Sequence, residues 1–256
     1  MTSVLCARKV TKRFSGIVAL DRVDIEVGEG ERVGLIGPNG AGKTTLFNCL
    51  LGVLRTDGGS VELRGEDLTR MPVHRRARQG IGRTFQRIEL FPDSTVREHL
   101  LIAERVRHGD GRLWKDLIGL GRPRRDELAR CDEVLELLGL ASLADEPIER
   151  LSLGKGRLVE VGRALMTDPA LLLLDEPSSG LDRGETAALA ETLRQAQADH
   201  GFAILLVEHD VELVADFTTR SYLLDFGRMI AEGPTAEVMG SEAMRLAYLG
   251  DLEVAG

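Results

Sequence analysis

The chain has 256 residues and a formal net charge of −8 at neutral pH, enough for one sizeable core with a smaller inserted subdomain. Its 43% hydrophobic and 29% charged residues are a globular balance, and seven Phe, two Tyr and one Trp leave a mostly aliphatic core. The acidic charge argues against nucleic acid as the main partner, and no apolar run approaches the roughly 20 residues that span a bilayer.

Residues 1–6 carry no basic stretch leading into an apolar segment, so they do not read as a signal peptide, and any membrane contact is expected to be indirect. Cys6, Cys49 and Cys131 are scattered and odd in number, which fits neither a disulfide framework nor a zinc pattern and suits a reducing cytoplasm. Residues 4–10, 19–27 and 60–64 alternate or are β-branched, and predict strands of a partly antiparallel sheet. Between the second and third of these, Arg32-Val33-Gly34-Leu35-Ile36 reads as a buried strand. It runs into Gly37-Pro38-Asn39-Gly40-Ala41-Gly42-Lys43-Thr44-Thr45 and then an apolar helix through Leu51. This is a phosphate-binding loop in its expected context. Glycines let consecutive N–H groups curl toward phosphate oxygens, and the helix adds the positive end of its dipole. Lys43 is expected on the outer phosphates and the Thr44 hydroxyl on Mg²⁺. Asn39, Gly40, Ala41, Gly42 and Thr45 complete the nucleotide-binding set.

Residues 95–107 and 126–140 read as helices separated by a Gly-, Arg- and Pro-containing connector, 109–123, so residues 94–151 predict a helical insertion. The basic clusters at 74–78 and 122–125 read as solvated helix ends or loops. Residues 170–174 and 202–207 are continuous apolar runs, as in parallel strands buried on both faces, with a helix over 184–198 between them. That alternation implies a doubly wound α/β core. The first run ends in Asp175-Glu176, which puts Asp175 at a strand tip near the magnesium and Glu176 where it can orient or deprotonate an attacking water. A hairpin turning at 225–228 and a final helix containing 244–248 end the chain. The expected division is 1–93 and 152–235 as the nucleotide-binding core with its antiparallel part, 94–151 as the helical subdomain, and 236–256 as a helical tail.

Taken in order, these motifs resemble the ATP-binding cassette (ABC) ATPases. The set comprises the phosphate loop, Thr84-Phe85-Gln86, Leu151-Ser152-Leu153-Gly154-Lys155-Gly156-Arg157, Asp175-Glu176-Pro177, Ser179-Gly180-Leu181-Asp182 and Val207-Glu208-His209-Asp210. Within the family the chain is most similar to the LivG type, the ATPase of branched-chain amino acid importers. The residues carrying that likeness are 80–86, the connector, Val207-Glu208-His209-Asp210-Val211 and Ala247-Tyr248-Leu249-Gly250. The resemblance implies a RecA-like P-loop NTPase core with an antiparallel β subdomain and an inserted α-helical subdomain. It also implies ATP and Mg²⁺ as cofactors.

Roles follow by position. Gln86 would bind Mg²⁺ or the attacking water and sense the membrane partner. His209 would contact the terminal phosphate, and the other four histidines, matching no motif, read as surface residues. Phe14 would stack on adenine, the alternative being an ordinary core residue. Ser152, Gly154 and Lys155 would complete a partner's ATP site, with Asp182 across the same interface. The family signature usually reads Leu-Ser-Gly-Gly-Gln; Leu153 and Lys155 depart from it here. The implied partners are integral membrane permease subunits, a second ATP-binding subunit, identical or related, and indirectly a substrate-binding protein, with the chain on the cytoplasmic face of the membrane. Alternatives are an export ATPase for lipid or polysaccharide, a non-transport cassette ATPase acting on DNA or the ribosome, and a regulatory subunit that does not hydrolyse. Intact Glu176 and His209 argue against the last.

Overall fold

The computed structural model describes residues 2–84, 94–108 and 123–253. Its contacts divide the chain into two compact units. The first contains the residues up to Ile81, Ala170–Glu176, and those from Gly201 onward. Here β1 (Ser3–Phe14), β2 (Ile17–Gly28), β4 (Gly58–Leu63) and the short β5 (Glu66–Asp67) form an antiparallel sheet in the order β2-β1-β4-β5. The 4–10, 19–27 and 60–64 patterns predicted its three long strands; β1 and β2 run further at both ends, while β4 starts earlier and stops at Leu63.

The second sheet of this unit is built around β3 (Arg32–Ile36), β7 (Leu171–Asp175) and β8 (Ala203–Val207), which pair in parallel. The hairpin β9 (Arg220–Asp225) and β10 (Arg228–Pro234) completes it, giving the order β10-β9-β3-β8-β7, while β6 (Ile81–Arg83) carries the chain out of the unit. Leu171 to Leu174 and Ala203 to Val207 are buried throughout, which is why neither run alternates. The register has a direct consequence for function. Leu35 and Asp175 both pair with Val207, so the carboxyl ends of β3, β8 and β7 finish level with one another. Loops leaving those ends converge, the arrangement in which open α/β sheets bind ligands.

Helix α1 (Lys43–Leu51) follows the first of these loops and buries Leu46, Phe47 and Leu50 in the same core as Leu35, Leu173 and Leu205. Each such side chain contributes roughly 2 kcal/mol of transfer free energy. Gly52 ends the helix in the left-handed conformation. The last carbonyls of α1 meet Arg76, on α2 (Val73–Arg78), whose guanidinium donates to Cys49 O at 2.8 Å, Leu50 O at 2.6 Å, Met71 O at 2.9 Å and Thr69 O at 3.2 Å. The basic cluster at 74–78 is therefore not uniformly solvated. Arg76 is buried, and desolvation lowers its pKa from the ordinary arginine value.

The second unit spans Gly82–Pro169 and Pro177–His200. It is helical among its described residues apart from the strand end at 82–83, and consists of α3 (Val96–His108), α4 (Arg125–Leu137), α5 (Leu153–Leu165) and α6 (Arg183–His200), with two single 3₁₀ turns between α4 and α5. The helices predicted over 95–107, 126–140 and 184–198 are α3, α4 and α6. His99 corrects the surface reading of the motif-less histidines. It lies on α3 at 1% exposure, whereas His74 and His200 are exposed. Arg97 ties α3 down by ion pairs to Asp132 and to Asp145 at 3.3 Å. The connector at 109–122 lies outside the described residues. In the first unit again, α7 (Val211–Phe217), α8 (Thr235–Gly240) and α9 (Glu242–Glu253) follow β8 and β10. Among the described residues no helix is long and apolar enough to cross a membrane.

Candidate functional site

The loop after β3 is shaped by steric necessity. At Gly37, φ is +149°, and a Cβ built there would lie 2.0 Å from Leu224 O, so no side chain fits. Gly40 and Gly42 also have positive φ, and the carbonyl of Ala19 lies 2.8 Å from where a Cβ on Gly42 would stand. Gly42 N-caps α1 without a side-chain hydrogen bond, so the first-turn amides have no such partner from the cap and no intrahelical one. Lys43 opens the helix. It is buried, with Nζ donating to Gly37 O at 2.6 Å and Pro38 O at 3.0 Å. An ammonium held inside a ring of backbone dipoles suits an anionic ligand that exchanges for those carbonyls. Asn39, Gly40 and Thr44 are exposed on the rim, while Ala41 is buried and Thr45 half-buried.

At the level end of β7, Asp175 is half-buried and Glu176 adopts φ +47°, a conformation uncommon for a residue with a Cβ. The Glu176 N–H donates to Val207 O at 2.8 Å, which fixes the turn against β8. Backbone strain of this kind is held only where its surroundings over-determine it, and it collects at active sites. The β8 end brings up His209, whose Nδ1 stands 3.9 Å from Glu176 Oε1. Sequence reasoning gave no role to Glu208, which is 0% exposed. Its Oε2 accepts from the N–H of His209 at 3.1 Å and of Asp210 at 3.4 Å, and so folds the turn that presents the imidazole. An acid closing a fully apolar strand was the available signal. Asp210 in turn caps α7, accepting from Glu212 N and Leu213 N.

Phe14 ends β1 and pairs with Ile17 in the hairpin that leads to Ala19 beside Gly42. At 41% exposure it is not a core residue. The Lys12 ammonium sits over one face of its ring, 5.3 Å from the centroid. Gln86 lies outside the described residues.

In the second unit, Ser152 N-caps α5 through its hydroxyl, which accepts from Lys155 N at 3.3 Å. Ser152 and Leu153 are exposed, Gly154 and Lys155 half-buried. Asp182 is exposed at the start of α6, where its carboxylate accepts from Glu185 N at 2.8 Å. The predicted residues thus form two groups. Residues 39–45, 175, 176 and 209 belong to the first unit, and 152, 154, 155 and 182 to the second.

For Mg²⁺ the fit is one of chemistry. Thr44 and Asp175 offer hard oxygen donors, and Mg²⁺ keeps several waters, so few protein ligands suffice. No cluster of three or more His, Cys, Asp or Glu forms a self-sufficient metal site among the described residues.

A glycine loop between a parallel strand and a helix, with acids at the level end of the next strand but one, marks a P-loop nucleoside-triphosphatase. The chain belongs to the ABC transporter family, whose sequence pattern matches residues 20–179. It is 38% identical over 251 residues to the high-affinity branched-chain amino acid transport ATP-binding protein LivG of Salmonella typhimurium, covering 97% of this chain and 98% of that one. To BraF of Pseudomonas aeruginosa, of the same description, it is 36% identical over 94% and 96%. The lipopolysaccharide export ATP-binding protein LptB of Haemophilus influenzae is 34% identical over 97% and 98%. Among solved structures, an ATP-binding cassette of an ABC transporter in its ADP conformation matches with a TM-score of 0.87 and 31% identity, over 98% of this chain and all of the other. The fold is that of an ABC ATPase, as expected. The chain is the ATP-binding, ATP-hydrolysing subunit of an ABC transporter.

Proposed function

We propose that this cassette powers the import of branched-chain amino acids or related small polar solutes. It would work on the inner face of the membrane beneath permease subunits fed by a substrate-binding protein. The likeness to LivG over nearly the full length of both chains supports import, and it exceeds the likeness to the export ATPase. Hydrolysis by this chain itself is carried by one observation, the strained Glu176 held against Val207 O and 3.9 Å from His209.

In this reading the backbone amides of residues 39–45 and the Lys43 ammonium bind the phosphates, and Phe14 stacks on the base. Thr44 and Asp175 would hold Mg²⁺, with Gln86 on the ion or on the attacking water; the ion would neutralise charge on the outer phosphates. Glu176 orients a water and accepts its proton as the water oxygen bonds to the γ-phosphorus and the bond to the β–γ bridging oxygen breaks. His209 steadies the terminal phosphate. Ser152, Gly154 and Lys155 would act on a second cassette's nucleotide with Asp182 alongside, so that two cassettes enclose two ATP molecules and their closure drives the permease.

The test is uptake. Cells lacking this chain should lose accumulation of labelled leucine, isoleucine and valine, and a Lys43→Ala copy that no longer binds ATP should not restore it. Unchanged uptake, with loss of an exported lipid or polysaccharide, would favour the export reading.

A further inference from the structure

The departure at position 153 has a structural counterpart. Gly180 sits at φ +83° in the loop before α6, and a Cβ built on it would lie 2.8 Å from Leu153 Cδ2. The leucine side chain therefore lies directly on the Gly180 backbone. Next to it, a Cβ on Gly154 would lie 2.9 Å from Glu185 Oε1. That carboxylate also accepts from Asp182 N at 3.3 Å, while Glu185 N donates to Asp182 Oδ1 at 2.8 Å. This reciprocal pair closes the N-terminus of α6. One turn further along α5, the buried Arg157 directs Nη2 to Ser179 O at 3.4 Å and lies 3.7 Å from Glu160. Ser179, Gly180 and Glu185, in one loop and the first turn of α6, thus meet Arg157, Leu153 and Gly154 of the signature segment, all within the second unit.

A side chain that is 42% exposed adds little to the core. A glycine at 153, as in the usual family pattern, would have no side chain to set on Gly180. We propose that Leu153 is a positioning residue that locks the signature turn to the loop 179–182, so that Ser152, Gly154 and Asp182 reach a partner's nucleotide as one rigid element. This role rests on the two-cassette reading above. The leucine removes an independent hinge between two segments that act on the same site. Closure then orders one body instead of two, which lowers the conformational entropy lost on assembly.

Hydrogen exchange of the whole chain without nucleotide reads the lock directly. The Leu181 N–H donates to Ser178 O at 2.9 Å, and with the Asp182 N–H it reports the loop. Leu153→Ala should speed exchange at both several-fold, Leu153→Met should keep them near wild type, and Leu193 in the middle of α6 should not change. Unchanged loop exchange in Leu153→Ala overturns the lock. A second measurement uses the Glu176→Gln background with saturating ATP and Mg²⁺. There Leu153→Ala should raise the protein concentration needed for half-dimerisation several-fold, with monomer nucleotide affinity unaltered and Leu153→Met restoring assembly. Faster exchange with unchanged dimerisation would overturn the role toward the partner. Glu176→Gln alone staying monomeric would instead point to a mixed pair with a related cassette or count against the two-cassette reading altogether, with the exchange rates still judging Leu153.

Discussion

The phosphate loop and the signature turn both carry phosphate-binding chemistry, and they are held by different means. Around Gly37 the backbone itself is the device: a buried strand on one side, a buried lysine folded onto the loop's own carbonyls, and no room for a methyl group. Around Ser152 the polar groups lie at an exposed helix start, held by a single serine cap and by side chains from the next loop. The contrast teaches which changes each region tolerates. A loop that must be complete before its ligand arrives is fixed by sterics. A turn that completes another chain's site can vary in sequence as long as its cap and its neighbours keep it in place. Lys155 falls on the tolerant side, while Leu153 is one of the neighbours that keep the turn in place.

The largest effect should come from breaking the rigid side. Gly37→Ala sets a methyl against Leu224 O, so it should destabilise the chain by more than about 3 kcal/mol, in the range of severe core clashes. It should also abolish ATP binding, read by thermal melting with and without nucleotide. Loss of binding with an unchanged melting temperature would mean that the loop is less constrained than its contacts imply.

The strand feeding that loop has its own anchor. Glu31, just before β3, takes Arg220 Nε at 2.7 Å and Nη2 at 2.9 Å and accepts from Gly28 N at 2.7 Å. Burial alone would raise its pKa, but these hydrogen bonds and the guanidinium charge together hold the carboxyl below its ordinary value. A depressed carboxylate pKa stabilises the fold above the ordinary glutamate range, and that stability is lost as pH falls through the folded value. Glu31→Gln should therefore cost about 2 kcal/mol at neutral pH and less in acid, where the wild type loses the same contribution. Denaturant titrations at neutral pH and near pH 3 check the convergence. A gap that stays constant with pH would show that the charge on Glu31 contributes nothing.

Much of this contrast was legible in the sequence. Leu171 to Leu174 and Ala203 to Val207 announced buried parallel strands because burial on both faces leaves no alternation. The glycine loop was readable because its geometry excludes other residues. What stayed hidden depends on distant partners. Arg76 looked like one of several surface arginines, since the carbonyls it covers, at Cys49 and Leu50, lie far upstream. His99, by contrast, was read as a surface residue only because it matches no motif; Val96, Leu100 and Ala103 at helical spacing already mark its face of α3 as apolar. Leu153 registered as a departure from a pattern, and its contact with Gly180 exists only in the folded chain. Phe14 was left between stacking and core, and its exposure removes the core reading.

The smallest effect belongs to the tolerant side. Lys155 contributes its backbone N–H to the Ser152 cap, a bond that any residue but proline supplies. Lys155→Gln should leave ATPase activity with the native partner within a few-fold of wild type at both low and high salt. A loss beyond tenfold in kcat/KM, about 1.4 kcal/mol, growing as salt is lowered, would make its charge a working part of the partner's site.

The central claim is that Glu176, strained at the end of β7, activates the attacking water and adds little to ATP binding, which the phosphate loop carries for the phosphates. Glu176→Gln, assayed with Mg²⁺, separates the two. ATP affinity by fluorescent-nucleotide titration should stay within a few-fold of wild type, because the amide preserves shape and the Lys43 contacts are untouched. Turnover should fall by about 10²–10⁴-fold, the range for a lost general base. Hydrolysis at the wild-type rate would contradict the assignment.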